Sequence, residues 1–137
     1  MCEICICAHG HLAQGMIEAL RFFELYDPDH MSAINFYVDE SDGKQCFDQW
    51  LDQQRSKPLK LILTDLAYGS VNQYVCAKVR HDPTCHVVTG MNLQLILELV
   101  AMCETLTIES IRSAVQAVQG SIIYMNDAFC KPDQEDE

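Results

Sequence analysis

The chain has 137 residues, 49% of them hydrophobic and 21% charged, with only 6 Gly and 4 Pro. That composition excludes a disordered, collagenous or multi-domain chain and describes one globular unit, able to bury roughly two thirds of its surface without a metal or disulfide staple. Nine Lys+Arg against 20 Asp+Glu leave a formal net charge of −11. Such a surface repels phosphodiester backbones and anionic lipid, so neither nucleic acid nor a membrane surface is an expected partner.

No stretch approaches the run of about 20 apolar residues that spans a bilayer, and the N-terminus lacks the basic segment, apolar run and small-residue cleavage site of an export signal. A cytoplasmic location is therefore predicted. The eight cysteines read as small buried hydrophobes in a reducing compartment rather than as a disulfide framework.

Ile4 to Ala8 is short, apolar and rich in β-branched residues, and it stops at His9-Gly10, which predicts a buried strand ending in a tight loop. Leu12, Met16, Ala19, Leu20 and Phe23 then fall at helical spacing, and Asp27-Pro28-Asp29 ends that helix. Ala33 to Val38 is again β-prone, followed by a polar loop through Gly43. Asp42 with Gln45 has the form of a capping box, ahead of a helix that buries Phe47, Trp50 and Leu51. Leu59 to Leu63 alternates too little to be half exposed and predicts a strand covered on both faces. Thr64-Asp65 closes it, and Val71, Val75 and Val79 mark a third helix.

His86 to Thr89 reads as a fourth strand, and after Gly90 comes a helix through Asn92, Leu93, Ile96, Leu97 and Val100. Leu95, Leu99 and Met102 make that helix apolar nearly all round, which predicts burial on two sides or a subunit contact. Thr107 is the expected N-cap of a fifth helix, with Ile108, Ile111, Val115 and Val118 inward and Gly120 as its stop. Ser121 to Met125 reads as a last strand. Residues 1–130 thus form one domain, and 131–137 are an acidic tail expected to stay disordered. Alternation of strand and helix along the chain predicts an α/β fold, an open, mostly parallel sheet with helices on both faces.

In such sheets the reactive crevice lies beyond the carboxyl ends of the strands. Three loops are expected there: His9-Gly10, Thr64-Asp65 with Gly69-Ser70, and Thr89-Gly90-Met91-Asn92. A His and an Asp on neighbouring strand ends suit a nucleophilic imidazole. The carboxylate accepts one ring N–H, leaves the other nitrogen free to attack, and stabilises the cation formed on phosphorylation. Gly69-Ser70 before a helix suits phosphate binding through backbone N–H groups and the hydroxyl, the glycine allowing close approach. His9 and Asp65 are therefore the candidate catalytic pair, and Gly10, Gly69 and Ser70 the candidate phosphate-binding residues. Thr64, Tyr68 and Asn92 are secondary candidates.

These residues carry a resemblance. Ala8-His9-Gly10 is similar to the Thr-His-Gly segment of the mannose-family IIA components of the bacterial phosphoenolpyruvate-dependent sugar phosphotransferase system. Leu63-Thr64-Asp65-Leu66 with Gly69-Ser70 resembles that family's Thr-Asp-Leu/Thr…Gly-Gly-Ser-Pro segment, and Thr89-Gly90-Met91-Asn92-Leu93 its Ala-Gly-Val-Asn segment. The resemblance covers nearly all of the chain. It implies a phosphoryl relay without cofactor: His9 would accept the group from the histidine-containing phosphocarrier protein and pass it to a IIB histidine, serving membrane sugar permease components indirectly. It also implies a homodimer in which the segment from Ser121 to Met125 is exchanged, in an antiparallel sense, onto the partner's sheet. One Gly and one Pro of the family pattern are absent from Ala67-Tyr68-Gly69-Ser70-Val71-Asn72-Gln73. Tyr68 adopts a left-handed conformation less cheaply than Gly, so the turn is expected to differ in shape or to donate fewer N–H groups.

Three other readings compete. A diverged regulatory domain would use the same histidine as a phosphorylated signal. A zinc site would use Cys5, Cys7, His9 and His11, with Cys2. Residues two apart on a strand are separated by about 6.6 Å and residues three apart face opposite sides, so these ligands do not converge without a bend. A receiver domain phosphorylated on Asp65 needs a carboxylate pair at the end of the first strand, where this chain has Ala8-His9. His11, His30, His81 and His86 read as surface or structural residues, with His11 in the loop nearest the site.

Overall fold

The computed structural model describes residues 2–38 and 42–130. The acidic tail lies outside the described residues, as does the part of the polar loop at 39–41. The elements run β1 (Glu3–His9), α1 (Leu12–Phe22), β2 (Met31–Phe36), α2 (Gly43–Gln53), β3 (Lys60–Thr64), α3 (Ser70–Val79), β4 (Cys85–Val88), α4 (Leu93–Ala101), a 3-10 turn (Cys103–Thr105), α5 (Ile108–Ala117) and α6 (Met125–Phe129). Asp42, Asn92 and Thr107 cap α2, α4 and α5, accepting from the N–H groups of Lys44, Leu95 and Ser110.

The four strands form one parallel sheet in the order β2-β1-β3-β4. Parallel strands need crossovers, and α1, α2 and α3 supply them. The two faces of β1 divide the core. Ile4, Ile6 and Ala8 face α1, α4 and α5, meeting Ile17, Leu20, Ile96, Leu99 and Ile111. Cys5 and Cys7 face α2 and α3, meeting Phe47, Trp50, Val71 and Val75. Chain order reverses beside β1, because the chain steps to β2 on one side and to β3 on the other. A crevice opens at that switch point, beyond the carboxyl ends of β1 and β3.

Four expectations are corrected. The buried stripe of α1 is Ala13, Ile17 and Leu20, whereas Leu12 and Phe23 are exposed; spacings of four and three put those three side chains on one face. Ile108 opens α5 on the exposed side, and Ile111 and Ala114 carry the contact. Strand β2 begins and ends earlier than Ala33 to Val38, because Tyr37 turns left-handed at φ 66 and breaks the ladder. The segment from Ser121 to Met125 is not a strand: residues 121–124 are irregular, Met125 opens α6, and Ile122 is 93% exposed. A β-prone sequence becomes a strand only where a ladder receives it, and within this single chain none does. The apolar helix α4 is buried on two sides as expected, between α1 and α5 and against the sheet. Among the described residues no helix is long and apolar enough to cross a membrane.

Candidate active site

His9 is the last residue of β1, and Gly10 turns the chain away from it at φ 60 while donating its N–H to Phe36 O at 2.8 Å. Asp65 follows the last residue of β3, the neighbouring strand. Its Oδ2 accepts twice from His9, from the backbone N–H at 2.8 Å and from ring Nδ1 at 2.8 Å, while Oδ1 accepts from the Leu66 N–H at 2.9 Å. Burial pushes the Asp65 carboxyl up, but the donors from His9 and Leu66 outweigh it and hold the group below its ordinary value. Asp65 is therefore ionised at neutral pH. A carboxylate only accepts, so Nδ1 carries the ring proton and Nε2 carries the lone pair.

Nε2 points to Ser70 Oγ, 3.3 Å away at the start of α3. Ser70 in turn accepts from the Tyr37 hydroxyl at 3.0 Å. One directed chain results, in which Tyr37 donates to Ser70, Ser70 to His9 and His9 to Asp65. The imidazole is 41% exposed while Asp65 is only 7% exposed, so the nucleophilic edge faces solvent and the orienting group does not.

The turn between β3 and α3 keeps a left-handed residue. Tyr68 adopts φ 63, which strains a bulky side chain where a glycine would have no strain. The buried Asn72 holds the turn, accepting from the Tyr68 N–H at 3.2 Å and donating to Thr64 Oγ1 at 2.9 Å. Gly69 has φ −68, so its role is space: a Cβ there would lie 3.1 Å from the Leu66 Cβ and 3.8 Å from His9 Cε1. The first turn of α3 thus lies close beside the imidazole, presenting backbone N–H groups to an anion on Nε2.

The structure brings His9, Asp65, Gly69 and Ser70 together as expected, with Gly10 as the turn beside them. Thr64 is fully buried and acts through Asn72. Tyr68 presents backbone to the turn and is 84% exposed. Asn92 places its Oδ1 on the Leu95 N–H and its Nδ2 on Ser121 Oγ, which makes it a helix cap and tether. His11 is exposed at the start of α1. Tyr37 and Asn72 escaped sequence reading. Tyr37 stands at the carboxyl end of β2, one strand from His9, and placing that strand's end at Phe36 would have put it in the crevice.

The zinc ligands do not assemble. Cys5 and Cys7 face one core, Cys2 faces the other, and His9 is turned to Asp65. His30 is not a lone surface group: its Nδ1 lies 2.8 Å from the Oε1 of the buried Glu3, with Lys57 Nζ 3.7 Å from the same oxygen.

Residues 3–116 match the family model EIIA-man, described as the PTS system fructose IIA component. The chain is 27% identical over 119 residues to the PTS system sorbose-specific EIIA component of Klebsiella pneumoniae, covering 86% of this chain and 87% of that protein. Its fold is similar to phosphotransferase system component EIIA from Streptococcus agalactiae, with a TM-score of 0.79 at 18% identity over 93% of this chain and 99% of that one. It is equally similar to the PTS IIA protein associated with the fucose utilization operon of Streptococcus pneumoniae, with a TM-score of 0.80 at 20% identity over 93% and 96% of the two chains.

Proposed function

Because this chain belongs to the mannose-type IIA family of the sugar phosphotransferase system, we propose that residues 1–130 act as one phosphocarrier domain in which His9 holds the phosphoryl group. The observation that carries this reading is the alignment of Asp65, His9 and Ser70, with the protonated nitrogen buried on a carboxylate and the free nitrogen aimed at a helix start.

In the forward step Nε2 of His9 attacks phosphorus on the phosphohistidine of the small histidine-containing phosphocarrier protein. A P–N bond forms at His9 as the P–N bond on the donor breaks, and the donor ring, protonated on its other nitrogen, leaves as a neutral imidazole. The positive charge left on the His9 ring is paired with Asp65. Ser70 no longer donates to Nε2 and turns its hydroxyl to a phosphoryl oxygen, beside the N–H groups of the first turn of α3. A IIB histidine then attacks the same phosphorus and releases His9. Positioning and charge stabilisation supply most of such a transfer, and the nucleophile, orienting carboxylate and oxygen donors all come from the chain. The role places the protein in the cytoplasm beside the sugar permease components it serves.

The proposal includes a homodimer. Strand β4 lies at the sheet edge, next to a groove of about 590 Å³ lined by Val87, Val88, Thr89, Ile111, Arg112 and Val115. Ile122, Ile123 and Tyr124 are exposed nearby, as an exchanged segment from a second copy requires. Light scattering of the purified protein should give a dimer and Ile123→Asp a monomer; a wild-type monomer at micromolar concentration would remove this part.

The relay itself is tested by incubation with phosphoenolpyruvate, enzyme I and the phosphocarrier protein. Intact mass should show one acid-labile phosphoryl group on the wild type and none on His9→Ala. No transfer beside a competent IIA control would overturn the relay and favour the regulatory domain.

A further inference from the structure

Strand β1 carries His9 at one end and a second pair of reactive groups at the other, about 23 Å away at roughly 3.3 Å per residue. Cys2 precedes the strand, and Cys103 opens the 3-10 turn after α4. Their sulfurs stand 2.9 Å apart, and the Cys103 thiol also points to the Cys2 carbonyl oxygen at 3.6 Å. Both residues are nearly buried, 3% and 4% exposed. Yet both line the wall of one cleft of about 270 Å³, with Pro58, Leu59, Glu104 and Leu106, so a small solute can approach them. The contrast with Cys5 and Cys7 is informative. Those sulfurs are 3.6 Å apart, but residues two apart on a strand hold their Cβ atoms about 6.6 Å from each other, beyond the roughly 3.5–4.5 Å of a disulfide. Cys2 and Cys103 come from different elements and carry no such constraint.

We propose that Cys2 and Cys103 form a redox-modifiable dithiol, which hydrogen peroxide or an organic hydroperoxide converts to an intramolecular disulfide. Cys103 reacts first. Either sulfur of the contact can donate; with Cys2 as the donor and the His30 charge near, the Cys103 thiol sits below the ordinary range, while the same sharing holds Cys2 above. The Cys103 thiolate attacks a peroxide oxygen: an S–O bond forms, the O–O bond breaks, and the departing hydroxide takes a proton and leaves as water, or as an alcohol from an organic peroxide. Cys2 Sγ then attacks the sulfenic sulfur; the S–S bond forms, the S–O bond breaks, and water leaves with the Cys2 proton. Each sulfur is oxidised by one electron and the peroxide is reduced by two. The bridge joins residues 101 apart in sequence, tying the α4–α5 connection to the start of the central strand. It resists unfolding without touching the His9 site.

The test treats the whole protein with graded hydrogen peroxide, alkylates the remaining thiols and maps the non-reduced digest by mass spectrometry. The expected result is two of the eight thiols protected, two hydrogens lost from the intact mass, and one cross-linked pair joining Cys2 to Cys103. Dithiothreitol should reverse all three, and unfolding of the oxidised form should shift to higher denaturant. Cys2→Ser or Cys103→Ser should each abolish the bridge, and the doubly substituted Cys46→Ser/Cys130→Ser, which removes the two exposed cysteines, should retain it. Full alkylation of Cys2 and Cys103 at doses that already oxidise Cys46 or Cys130 would overturn the proposal. So would Cys103 ending as a sulfinic acid without a bridge. The wild-type map decides the matter even where a serine variant fails to fold.

Discussion

At the scale of single residues, the site is a line of four groups with one direction of proton donation. Asp65→Asn preserves the shape of the acceptor but lets the amide donate, which favours the tautomer with the proton on Nε2. Transfer to His9 should fall by roughly two to four orders of magnitude, as stopped-time intact mass would report. Because the amide nitrogen also meets the His9 backbone N–H that Oδ2 accepts, the urea midpoint should fall as well, by about 1–3 kcal/mol of stability. Tyr37→Phe removes one neutral hydrogen bond, to Ser70, and should slow transfer by about two- to tenfold. Tyr68 is a different case, since its φ of 63 places a bulky side chain in a region that costs about 1–2 kcal/mol, offset in a glycine by about 0.5–1 kcal/mol of extra chain entropy. Tyr68→Gly should therefore stabilise the fold by up to about 1 kcal/mol in urea, whereas Tyr68→Ala, which keeps the strain, should not. His9, Asp65 and Ser70 were legible because each stands next to a strand end or helix start that periodicity locates. Tyr37 was not, because its backbone departs from the ladder at a residue whose type favours strand.

At the scale of elements, α3 does more than cross the sheet. Its valines at every fourth position seat it on Ile62 and Cys7, and its third residue, Asn72, links β3 to the strained turn. Asn72→Leu leaves the Tyr68 N–H and Thr64 Oγ1 without their partner, and should cost about 1–3 kcal/mol of stability with a parallel loss of transfer. Urea denaturation and the intact-mass assay on one preparation check both. The stripe of α3 was readable because only one row of apolar residues exists. In α1 two rows overlap at Leu20, one through Leu12 and Met16 and one through Ala13 and Ile17, and periodicity alone does not say which of them faces the sheet.

At the scale of the whole molecule, the two ends of the central strand divide the work. The carboxyl end holds the proposed site, and the amino end holds a buried carboxylate, Glu3, flanked by His30 and Lys57, with Asp27 nearby. The hydrogen bond to Glu3 raises the His30 imidazole above its ordinary value, its burial opposing. A raised pKa favours the protonated fold, so this stabilisation is complete below about pH 6.5, the unfolded value, and is lost as pH rises through the folded one. The urea midpoint should fall across that window in the wild type, and His30→Asn should flatten the fall. The α/β alternation and the parallel sheet were legible from pattern alone. The contacts at this amino end were not, because Cys2 and Cys103 lie 101 residues apart and no local period relates them.

Asp65 Oδ2 grips both the main chain and the ring of His9, leaving a single nitrogen with a single open side. In the role proposed for His9, a carrier with one entrance cannot host its donor and its acceptor together. On the proposed relay the two partners take turns on the same surface, each displacing the other, and the cargo moves by alternating visits rather than through a complex of three proteins.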